Sequence, residues 1–102
     1  MQVIRDEIGF DGLIMTDDIS MEALSGTVAE RTGGAIAAGC DIVLHCNGDL
    51  AQMEAVIGAA GRMTDAAERR AARALAERKP AGAVDIAALE AELEALVSAD
   101  VP

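Results

Sequence analysis

The chain is 102 residues long, the size of one small domain or of a piece of a larger one. Eighteen acidic residues against eight basic ones leave a formal net charge of -10, which repels nucleic-acid phosphates and anionic membrane surfaces and argues against both as partners. Hydrophobic residues make up 52%, yet Phe10 is the only aromatic, so any core is built from Leu, Ile, Val, Met and Ala and is shallow.

Val3, Ile4 and Ile8 fall at helical spacing and Gly9 follows as a stop, which predicts a helix over 2–8. The sequence thus opens inside a helix, as it would if Met1 were a misplaced start. GFDG makes a turn, and the apolar run Leu13 to Thr16 reads as a short strand buried on both faces. It runs into two adjacent carboxylates, Asp17 and Asp18, and Ser20 to Leu24 then suggests one helical turn.

Thr27 stands three residues before Glu30, the spacing of a capping box, and opens a helix that runs to Ala38 and stops at Gly39. Ile42, Val43 and Leu44 form a second buried strand. Asp49 and Gln52 repeat the cap pattern before a helix that ends near Gly61. The pieces Asp11-Gly12-Leu13-Ile14 and Asp41-Ile42-Val43 begin one βα unit apart, which predicts parallel neighbours with a right-handed crossover.

Thr64 to Lys79 reads as a solvated helix stopped by Pro80. A last helix from Asp85 carries Ile86, Leu89, Leu93, Leu96 and Val97 on one face. Residues 62–102 show no functional signal and read as outer covering. Two parallel strands cannot form a sheet with both faces buried, so the pattern implies a part of a larger α/β protein, or a chain that associates.

Cys40 and Cys46 match no disulfide framework and no ligand set, and read as reduced thiols. No apolar stretch approaches the roughly 20 residues that a bilayer requires, and MQVIRDEI lacks the order of a secretion signal. A soluble, cytoplasmic chain is expected.

In α/β architectures side chains leave the sheet at the carboxyl ends of parallel strands, where sites form. Asp17 and Asp18 lie at one such end, and His45, Cys46 and Asn47 at the next. A carboxylate there suits a nucleophile or base, a ligand for a divalent cation, or a simple cap for the following turn.

The stretches GFDGLIMTDDISMEAL and AERTGGAIAAGCDIVLHCNGD resemble the last two barrel segments of family 3 glycoside hydrolases, specifically the bacterial β-N-acetylglucosaminidases of cell-wall recycling. The resemblance covers roughly residues 2–60. It implies an α/β fold, the C-terminal part of a (β/α)8 TIM barrel: the last two βα units over 1–61, with terminal helices over 62–102. It also implies retaining hydrolysis of β-linked N-acetylglucosamine from anhydro-muropeptides, a small carbohydrate substrate, and no cofactor or metal.

Under that resemblance the first aspartate of the pair, Asp17, is the nucleophile, and Asp18 braces the turn behind it. Retaining hydrolysis needs one ionised carboxylate beneath the anomeric carbon, and an aspartate of ordinary pKa near 3.9 is charged at neutral pH. The family's acid/base histidine lies on an upstream loop absent from this chain, so the chain alone is expected to be inactive. Asn47 falls at the barrel mouth as a candidate substrate contact. His45, where the family usually has an apolar residue, reads as a packing or hydrogen-bonding group. Thr16 stands where serine is commoner.

Two other readings remain. The chain could act purely by association through its strand edges. The acidic pair could instead be a Mg²⁺-dependent phosphoacceptor site, although that needs a further acidic residue at a later strand end, where His45-Cys46-Asn47 stand.

Overall fold

A computed structural model describes residues 2–99, so the reading of Met1 as a misplaced start lies outside the described residues. After a π-helical segment, Gln2–Glu7, the order is β1 (Met15–Asp18), α1 (Val28–Ala38), β2 (Ile42–Leu44), α2 (Leu50–Ala60), α3 (Asp65–Ala76) and α4 (Ile86–Ala99). The two strands pair in parallel around the α1 crossover, and α1 packs against α2 and β2. The predicted α/β alternation is present. What forms is a two-stranded parallel sheet with helices.

The caps fall where the sequence placed them. The Thr27 hydroxyl accepts from the Glu30 N–H while the Glu30 carboxylate accepts from the Thr27 N–H, and Asp49 accepts from the Gln52 N–H. Gly39 ends α1 at φ 107°, a left-handed conformation that glycine alone adopts without a steric cost, and its N–H closes the helix on Ala35 and Ile36.

Three expectations shift. The N-terminal helix is wider than an α-helix, with the Ile8 N–H reaching Val3, while Arg5 turns back onto the carbonyls of Phe10 and Gly12. β1 begins at Met15, not Leu13, because the Asp41 side chain takes the Ile14 N–H and interrupts the ladder there. Residues 20–24 form hydrogen-bonded turns that do not continue as a helical turn, the Met21 and Leu24 carbonyls being directed at Arg31.

The strands are not buried on both faces: Met15 is 53% and Leu44 38% exposed, because two strands have no layer to cover both sides. Among the described residues few side chains are buried: Ile19, Val56, Ala67 and Thr32. The radius of gyration is 19.4 Å, against about 13 Å for a compact chain of this length. α4 buries none of its residues, and its predicted apolar stripe, Ile86, Leu89, Leu93, Leu96 and Val97, faces water. The isolated chain is therefore expected to bind a hydrophobic dye and unfold over a broad temperature range; a sharp cooperative melt without dye binding would show a cover that these contacts lack.

Candidate active site

Met15 pairs with Ile42 and Asp18 with Leu44, so β1 spends one residue more than β2 over the same span. This is a bulge, which twists the strand locally and redirects the side chains within it. Thr16 and Asp17 occupy it. The Leu44 N–H donates to the Thr16 hydroxyl at 2.9 Å, which ties a side chain of the bulge to β2. The ladder resumes where the Ile19 N–H donates to the Leu44 carbonyl at 2.8 Å, with the Ile19 side chain buried.

The two aspartates, one residue apart, have different surroundings. Asp17 is exposed; its Oδ1 accepts from the Asp18 N–H, and Oδ2 has no hydrogen-bond partner among the described residues. Asp18 is half-buried and engaged: Oδ1 accepts from the Ser20 N–H and hydroxyl and from the Cys46 N–H, tying the ends of β1 and β2 together. The Ser20 N–H and hydroxyl, with the Cys46 N–H, hold the Asp18 carboxyl below the usual carboxylate range. One carboxylate is consumed in bracing and its neighbour is left open.

Asp17 lines an open cleft of about 420 Å³ together with Asp18, Ile19, Met21, Leu24 and Arg31. Sequence reasoning passed over Arg31, on α1. Its guanidinium donates to the carbonyls of Ile19, Met21, Leu24 and Ser25 and gathers the loop that walls the cleft. A planar group with five fixed donors can hold four carbonyls at once, and lysine cannot. The signal available was a lone arginine on α1 following an irregular loop, which names no partner.

Asn47 lines a neighbouring cleft that shares Arg31 with the first. Its carboxamide is largely committed, donating to Gln52 Oε1 at 2.8 Å and accepting from the Asp49 N–H at 3.0 Å. His45 Nε2 meets the same Gln52 oxygen at 3.0 Å, the local hydrogen-bonding role expected of it. Cys40 and Cys46 are free thiols. Burial and the charges of Asp18 and Asp17 push the Cys46 thiol up, so it stays protonated and is a poor nucleophile. Among the described residues no three His, Cys, Asp or Glu side chains gather to hold a metal ion, and no helix is long and apolar enough to cross a membrane.

A second cluster sits at the opposite ends of the strands. Asp41, 4% exposed, accepts from the Ile14 N–H, from Arg5 at 2.7 Å and from Arg70 of α3 at 3.0 Å, and Arg70 and Arg73 also reach Asp11. Thus α3, read from sequence as mere covering, is joined to the sheet by ion pairs.

Comparison with known proteins identifies the family. The model of the glycosyl hydrolase family 3 N terminal domain matches residues 1–76. The chain belongs to glycosyl hydrolase family 3. The match extends through α3, past the stretch over which the motifs were recognisable. A protein named Beta-hexosaminidase from Vibrio cholerae is 50% identical over 48 residues, 45% of this chain and 14% of that protein. One of the same name from Bordetella pertussis is 42% identical over 52 residues, 49% of the chain and 15% of the relative. A third, from Methylobacillus flagellatus, is 48% identical over 48 residues, 45% and 14% respectively. The matched stretch is about one seventh of each relative's length, and the family is one of glycoside hydrolases acting on carbohydrate.

Proposed function

We propose that this chain carries the nucleophile of a retaining β-N-acetylhexosaminidase, as the last two βα units of a (β/α)8 barrel with residues 62–102 as a helical extension. The observation that supports it best is the division of labour at the bulge: Asp18 is tied into the strand ends, while Asp17 is exposed beside a cleft. An Asp17 oxygen bonds to the anomeric carbon as the glycosidic C–O bond breaks, and the leaving oxygen takes a proton from an acid/base group outside this chain. Water, deprotonated by that same group, then releases the sugar with its configuration retained.

The substrate is a terminal β-linked N-acetylglucosamine on a peptidoglycan fragment, met in the cytoplasm, with Asn47 offering its remaining amide hydrogen at the rim. The chain alone is inactive, since it contains one histidine and that one is bonded to Gln52. The test is to put residues 2–76 in place of the corresponding family 3 segment of the Vibrio cholerae relative and treat this graft with a fluorinated N-acetylglucosaminide. A covalent sugar on the peptide that contains Asp17 is expected; a sugar on another residue, or an active graft that never traps one, overturns the reading.

The exposed stripe of α4 favours a second reading, association with another polypeptide. Sedimentation of the 102-residue chain at two concentrations separates it from a lone monomer.

A further inference from the structure

The bulge poses a problem of its own. A residue inserted into β1 lengthens it against β2, so the side chains within the bulge depart from the regular alternation of the strand. Closing the bulge would return Asp17 to the regular alternation and swing its carboxylate to the other side of the sheet. The side chain that ties the bulge to β2 is Thr16, whose hydroxyl accepts the Leu44 N–H at 2.9 Å.

We propose that Thr16 is a positioning residue whose hydroxyl ties the bulge to β2 and thereby sets the aim of Asp17. This rests on the reading of Asp17 as nucleophile. Valine has the shape of threonine and a higher preference for strands, but offers no acceptor; serine offers the acceptor without the methyl. The pair separates the hydroxyl from mere packing.

In the graft, Thr16→Val is expected to lower kcat by about 100-fold, the cost of misplacing a reacting group by about an ångström, with KM little changed because the cleft walls are held separately by Arg31. Thr16→Ser is expected to stay within about threefold of the unaltered graft. In the 102-residue chain, hydrogen exchange at the Leu44 amide should accelerate at least about tenfold in Thr16→Val and recover in Thr16→Ser. A loss shared equally by both variants, full activity in Thr16→Val, or a Leu44 amide that exchanges at the same rate in all three chains overturns the proposal. If Asp17→Ala instead leaves turnover intact, the nucleophile reading fails, and a normal Leu44 response in the same series shows the hydroxyl brace surviving without a catalytic purpose.

Discussion

Asp17→Ala in the graft is expected to lower turnover by about 10⁴-fold or more, while the folded content and the affinity for N-acetylglucosamine stay near those of the unaltered graft. The side chain is exposed and its one bond is to its own neighbour's N–H, so its removal opens no cavity and leaves only an exposed N–H, which water can take. The loss therefore falls on chemistry and spares stability. A small anion such as azide, admitted to the space the carboxylate leaves, should restore turnover of a substrate with a good leaving group and give a product of inverted configuration, since it attacks the same face and nothing displaces it afterwards. Asp18→Ala behaves differently: it releases the Ser20 and Cys46 amides that join the strand ends, so it should weaken folding as well as rate. Turnover that survives Asp17→Ala, or an equal loss of folding in both variants, would remove the distinction on which the functional reading stands.

That distinction was only partly legible in the sequence. Local signals were reliable: Thr27 with Glu30, Asp49 with Gln52, and Gly39 each fixed a helix end from chemistry confined to four or five residues. The motif through Asp17 and Asp18 pointed to the strand end that the structure places beside an open cleft, and the paired carboxylates suggested two roles. What the sequence withheld depends on contacts far apart in the chain. The bulge exists only as a difference in spacing between two strands, so neither strand announces it, and the Thr16 hydroxyl could be read as a serine substitute but not as an acceptor for Leu44, 28 residues away. Arg31 was invisible for the same reason, because its four acceptors are main-chain carbonyls, which carry no residue identity. The shared Asp11 and Asp41 positions were seen as a repeat in the pattern before each strand, yet their partners Arg70 and Arg73 lie on a helix that periodicity alone assigned to solvent.

Those aspartates govern the response to acid, with Asp41→Asn as the variant that exposes it. Burial pushes the Asp41 carboxyl up, but the Ile14 N–H and the guanidinium groups of Arg70 and Arg5 outweigh it and hold the group below its ordinary value of 3.8. Asp18, bonded by Ser20, and Asp11, bonded by Arg70 and Arg73, are lowered too. A carboxyl lowered on folding binds fewer protons in the native state than in the unfolded one. Its stabilisation is therefore complete above about pH 5 and drains away as pH falls through 3.8 toward the folded value. The graft, which contains all three aspartates and all three arginines, should keep a constant urea midpoint from pH 7 to 5 and lose it steeply below 4. Asp41→Asn strands Arg5, whose side chain is 13% exposed, beside a neutral amide and should cost about 2 kcal/mol at pH 7. The gap between variant and parent must then narrow as the pH drops, since protonation removes from the parent the charge that the variant already lacks. A gap that stayed constant from pH 7 to 2.5 would mean that Asp41 acts through packing, and that the ion pairs joining α3 to the sheet contribute nothing to holding the strand ends behind Asp17 in place.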